Sequence, residues 1–250
     1  MPRTCAVLGV LVCAAAGLAQ PIGYSVQSNG NDHLYQINLG TGQATDMGLV
    51  GLNDAEGVSF GPGGRLYAIG GTVEEFWNIT APPGVLVGAT GTRNGIDAGL
   101  GYYNGVMYNM QGDTGGSYLY TIDTNAGTAT LVGRGTEFAD NIAVLNGVGY
   151  ASDWIFDDSL YRVDLATGQF TLIGPLNVGN VSLQAGSDFF GNTLYTLTSD
   201  GRIFTVNTGT GAATFMAQVN IGGNWEGLAI VPEPAALGLL ALAGLLLRRR

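Results

Sequence analysis

Between residues 23 and 231, apolar and polar residues alternate in short runs, the period of a half-buried β-strand. The runs recur as a group. An apolar–aromatic pair appears as Leu34-Tyr35, Phe76-Trp77, Leu119-Tyr120, Leu160-Tyr161 and Ile203-Phe204, at steps of 42, 43, 41 and 43 residues. A second motif precedes the last four pairs: Arg65-Leu66-Tyr67, Val106-Met107-Tyr108, Val148-Gly149-Tyr150 and Thr193-Leu194-Tyr195. Short turns introduce it at Gly63-Gly64, Asn104-Gly105, Asn146-Gly147 and Gly191-Asn192, which read as two-residue hairpins between strands. A further turn follows each aromatic, at 38–42, 80–84, 123–127, 164–168 and 207–211, and then another β-run such as 128–132.

A four-strand unit of about 42 residues has the size of a β-propeller blade. Complete units are predicted over 54–91, 97–135, 140–176 and 184–219. The remainder is a three-strand piece at 23–50 and one strand at 224–231. Joined, these make a fifth blade and close the ring, which removes an exposed sheet edge. The expected fold is therefore all-β: a five-bladed propeller of four-stranded blades, closed by the N- and C-terminal strands. The innermost strands are rich in small residues, as in Gly57-Val58-Ser59, Gly99-Leu100-Gly101, Ile142-Ala143-Val144 and Gly227-Leu228-Ala229, and this permits close backbone approach at the axis.

The two ends break the pattern. Residues 1–19 carry Arg3, an apolar stretch from Cys5 to Leu18, and the small residues Gly17 and Ala19 just before Gln20. This is the layout of a helical secretory signal peptide cleaved between Ala19 and Gln20 by export through the Sec machinery. Both cysteines, Cys5 and Cys13, lie in it, so residues 20–231 hold no thiol for a disulfide or metal site. At the other end, Pro232-Glu233-Pro234 precedes thirteen apolar residues and then Arg248-Arg249-Arg250. As a helix, that run spans roughly 20 Å, short of the ~30 Å hydrocarbon core, with arginines that snorkel and stay cytoplasmic. It suits a temporary inner-membrane anchor.

The order Pro-Glu-Pro, short apolar helix, basic terminus resembles the PEP-CTERM sorting signal of diderm bacteria. The resemblance implies that an exosortase-type protease-transpeptidase cuts near Pro232, Glu233 and Pro234. It also implies that the product is released or attached at the surface, often in bacteria that make exopolysaccharide. The repeat consensus x-Leu-Tyr-x-Ile-Asp-x-x-Thr-Gly-x-x-Thr resembles that of secreted bacterial propellers paired with such signals. The layout is then a signal peptide at 1–19, a propeller at 20–231 and a sorting signal at 232–250.

Charge narrows the function. The 250 residues include 42 Gly, are 46 % hydrophobic and 11 % charged, and carry a net charge of −10. All nine basic residues are Arg, and residues 20–231 hold 18 acidic residues against five Arg. Clustered cations for nucleic-acid phosphates are lacking. The acidic and polar residues Asp54, Glu56, Asp97, Asp140, Asn141 and Glu226, with Trp225, begin the inner strands and form the candidate ligand face. Asp113, Asp153, Asp157 and Asp158 fall in neighbouring loops, where oxygen ligands suit Ca²⁺. Trp154, Trp225, Tyr102 and Tyr103 offer faces for a sugar ring, and Arg93 offers a partner for a carboxylate. Asn38, Asp123, Asp164 and Asn207 are read as turn residues that accept local backbone N–H bonds. His33 is the only histidine, no Gly-x-Ser-x-Gly motif accompanies it, and no Lys exists for a phosphate loop. The reading is an exported, non-enzymatic surface or matrix propeller that binds carbohydrate or protein without a cofactor. The alternatives are a Ca²⁺-dependent adhesion module and a hydrolase or lyase acting on polysaccharide or lactone.

Overall fold

The computed structural model describes residues 20–28, 30–71, 73–92, 97–113, 115–153, 158–178 and 184–231. Among the described residues, twenty strands form five separate four-stranded antiparallel sheets. The closing blade holds β1 (Ile22–Gln27), β2 (His33–Asn38) and β3 (Ala44–Leu49). The first blade holds β4 (Ala55–Phe60), β5 (Leu66–Gly70), β6 (Glu75–Asn78) and β7 (Val85–Ala89). The second holds β8 (Asp97–Tyr103), β9 (Val106–Asp113), β10 (Gly116–Ile122) and β11 (Ala129–Gly135). The third holds β12 (Ala143–Leu145), β13 (Val148–Asp153), β14 (Ser159–Val163) and β15 (Phe170–Pro175), and the fourth β16 (Gln184–Phe190), β17 (Thr193–Thr198), β18 (Arg202–Val206) and β19 (Ala213–Gln218). The final strand, β20 (Trp225–Ile230), pairs with β1 and completes the closing blade. The predicted five blades, their strand count and the closure by both ends are all present. The predicted signal and tail helices lie outside the described residues.

The alternation in each strand is put to use on both sides of each blade. Five apolar clusters fill the five seams between neighbouring blades. The apolar member of each repeated pair (Leu34, Phe76, Leu119, Leu160, Ile203) is at most 2 % exposed. The aromatic beside it points the other way; Tyr35, for example, packs into the seam with the fourth blade while Leu34 packs towards the first.

The inner strands β20, β4, β8, β12 and β16 contact one another in that cyclic order, so the ring is closed. Their glycines permit this. A Cβ on Gly99 would collide with the backbone of Asp140 and Asn141 on the next blade. The hairpin turns after the inner strands obey their sequence: Asn104-Gly105 and Asn146-Gly147 both adopt positive φ, at 47° and 89° and at 52° and 79°.

Candidate functional site

Each inner strand starts at one face of the ring and ends at the other. Four end in a hairpin turn, and β20 ends at Ile230. At this far end every blade delivers an apolar residue to the axis: Phe60, Tyr102, Val144 with Leu145, Phe189 and Ile230. Together with Ser59, Asp188 and Gly191 they line a cavity of about 300 Å³. At the waist only about 10 Å³ remains, between residues such as Val58, Leu100, Ile142 and Leu228, which is room for one water molecule. The axial cavity is therefore blind.

Two of its aromatic walls are braced by a tyrosine of the preceding blade. Tyr24 meets Phe60 edge-on, with ring centroids 5.6 Å apart, and Gln36 Nε2 donates to the Tyr24 hydroxyl at 2.7 Å. Tyr150 meets Phe189 in the same manner at 5.4 Å. Rings held in this way cannot swing out of the wall without losing those contacts.

Asp188 is the one ionisable carboxyl among the described residues of the lining. Its Oδ1 accepts the N–H of Phe189 and its Oδ2 accepts the N–H of Ile230 in the closing blade, each at 2.7 Å. Burial among apolar walls pushes its carboxyl up to about 7, against the pull of those two N–H donors, which favour the charged form. Near neutral pH it can therefore donate or accept a proton. The cross-strand register shows why it stands out. Opposite the repeated tyrosines Tyr24, Tyr67, Tyr108, Tyr150 and Tyr195 sit Ala229, Ser59, Gly101, Ala143 and Asp188. Four blades place a small residue there and the fourth blade places a carboxyl.

The face favoured by the sequence is built differently. Asp54 is exposed in a left-handed turn (φ 59°), and its carbonyl accepts the N–H of Gly71 at 3.0 Å. Glu56 and Glu226 are half-buried, and Glu226 accepts from Asn224 Nδ2 at 2.9 Å. Asp97 opens β8. Asp140, Asn141 and Asp153 are buried. Asn141 Nδ2 donates to Asp140, and the Ser152 hydroxyl donates back to Asn141, both at 3.2 Å. Trp225 is fully buried and packs edge-on against Tyr35 at 5.1 Å. Trp225 thus serves the seam between the fourth and closing blades rather than a presented surface, because an indole removed from water stabilises the ring more than an exposed one does, while Asn141 lines the narrow axial waist.

Asp113 is half-buried at the end of β9. Asp158 is partly buried, and that burial holds its carboxyl above its usual range. Among the described residues, no group of three or more His, Cys, Asp or Glu side chains is placed to hold a metal ion. Asp157, Trp154, Arg93, Ala19, the motif Pro232, Glu233, Pro234 and the tail Arg248, Arg249, Arg250 lie outside the described residues; Gln20 is described and exposed. The expected aromatic pair divides. Tyr102 lines the axial cavity, while Tyr103 lines a depression of about 290 Å³ with Tyr108 between the second and third blades.

The turn residues behave as expected. Asn38 accepts the N–H of Gly40 at 3.0 Å, Asp123 that of Asn125 at 2.8 Å, Asp164 that of Ala166 at 2.8 Å and Asn207 that of Gly209 at 2.9 Å. In the first blade the acceptor is Asn78 rather than the residue at the repeat offset, and it takes the Thr80 N–H at 3.1 Å. The lone His33 pairs with Asp46 at 2.9 Å on the surface.

No family model and no curated protein matches the chain. Among solved structures, a chain from the crystal structure of a nidogen/laminin complex is similar, with a TM-score of 0.57 at 9 % identity. The alignment covers 84 % of this chain and 98 % of that one. At that identity the likeness shows the β-propeller fold alone.

Proposed function

We propose that the chain is an exported, non-enzymatic propeller of the cell surface or extracellular matrix, and that it holds its ligand in the axial pocket. The observation that carries the binding reading is the construction of that pocket. It is blind and apolar, has braced aromatic walls and carries one oriented carboxyl group, which is the equipment of a recognition site. Glycoside cleavage uses two carboxyl groups flanking the scissile bond, and the described lining supplies Asp188 alone. The similar propeller belongs to a complex of two proteins, which fits a partner-binding role.

The terminal segments supply the address in this reading. The Sec machinery exports the chain, the apolar tail holds it briefly in the inner membrane, and an exosortase-type transpeptidase cuts near Pro232-Glu233-Pro234. Exopolysaccharide or a surface protein is the partner class. The ring supports such handling because it is complete without either segment. Val231 N–H donates to the Ile22 carbonyl at 2.9 Å, so residues 22 and 231 lie side by side at the end of the ring that carries the axial cavity. Replacing Pro232, Glu233 and Pro234 by Ala should leave an uncut precursor in the membrane fraction, detected by mass and fractionation. Normal processing of that variant would overturn the sorting reading.

A further inference from the structure

We propose that the axial pocket recognises a small alkylammonium ligand, with Asp188 as its counter-ion and Phe60, Tyr102 and Phe189 as its cation-binding walls. This deepens the binding reading above and rests on it. Three observations carry it. First, the cavity is at the small end of ligand pockets and closed at its base, so it suits a compact group rather than a polymer segment. Second, three aromatic side chains from three different blades line one pocket, and aromatic rings attract cations. Third, Asp188 occupies a position that four other blades fill with Ala, Ser or Gly, so the repeat itself does not call for a carboxyl there, although in this blade the carboxyl also holds the Ile230 N–H of the closing blade.

The carboxyl is also pre-oriented. Each oxygen takes one backbone N–H, which fixes its direction and leaves a lone pair on each for an N⁺–H donor. No Arg or His is present in the described lining, so the ionised carboxyl is left open to a cation brought by the ligand. The elements around Asp188 carry Tyr195 on β17, Tyr102 on β8, Tyr24 on β1 and Tyr150 on β13, and the carboxylates Glu226 on β20 and Glu56 on β4 lie towards the opposite ends of their strands, outside the described cavity lining. Asp188 is the one carboxyl in the described lining of the pocket. Its ionised form is the one a cation selects. Binding should tighten as pH rises through the titration of Asp188, and the cation should in turn pull that titration down.

The test is an NMR titration of the full chain with n-butylammonium chloride, followed at the Asp188 carboxyl and the Phe60, Tyr102 and Phe189 rings, with n-butanol and sodium chloride as controls. The amine should shift these resonances, with an affinity roughly 30-fold higher at pH 8.5 than at pH 5.5, and the controls should not. Asp188→Asn should abolish the pH dependence. Should that variant not fold, Tyr102→Leu serves instead and should weaken tetramethylammonium binding several-fold. Equal shifts with n-butanol would overturn the cation proposal while leaving a binding pocket. No shift with either probe would overturn both the cation proposal and the binding reading.

Discussion

Asp188 destabilises the fold near neutral pH. A carboxyl that titrates near 3.8 when unfolded and about 7 when folded holds its proton longer in the folded state. Its contribution is fully present below pH 4, declines as pH rises, and is gone above about 7. The difference amounts to roughly 4 kcal/mol. Wild-type stability relative to Asp188→Asn should therefore fall between pH 4 and 8 in denaturant titrations; a difference constant with pH would refute this. The site was only partly legible in the sequence. Asp54, Glu56 and Glu226 drew attention because acidic loop residues are conspicuous on an acidic chain. Asp188 sits in Ala185-Gly186-Ser187-Asp188-Phe189, an ordinary-looking strand. Only the register against Tyr195 reveals it as a substitution in a five-fold repeat. Trp225 misled for a related reason: an aromatic at a strand start looks the same whether it faces solvent or a seam.

Among the elements, the outer strands show how repetition enters the packing. β3, β7, β11, β15 and β19 each carry a bulge at the same register, opposite the repeated apolar–aromatic pair. Just past the bulge, Gly133 backs onto Thr167 and Gly168 in the next blade's turn, where a Cβ has no room. Gly133→Ala should therefore cost about 2 kcal/mol and lower Tm by roughly 4–8 °C, whereas Gly222, which has open space around it, should accept Ala with little change. Equal Tm shifts for the two variants would count against this seam. The blade boundaries were legible because turn and strand signals recur at fixed spacing. The solvent side of the outer strands was not. Leu131, Leu172 and Phe215 continue the apolar alternation yet are 54–60 % exposed, and no neighbouring blade covers that side. The displaced turn acceptor of the first blade, Asn78, escaped because the repeat offset pointed to Thr80.

For the whole molecule, stability depends on the last strand. Without β20, β1 keeps β2 but loses its inner partner, the seam filled by Trp225 and Leu228 opens, and the fourth blade faces water. A chain ending at Asn224 should lose its sharp calorimetric transition and aggregate, as light scattering would show; an unchanged transition would mean that four blades and a partial fifth suffice. Closure also fixes an order in time. Hairpins within the first to fourth blades need only nearby residues, whereas Gly23 must wait for Ile230. Contacts this distant in sequence form late. The N–H of Ile230 also holds Asp188. Until that strand arrives, the carboxyl has only the N–H of its neighbour Phe189 to hold it, so the geometry of the axial pocket is set last.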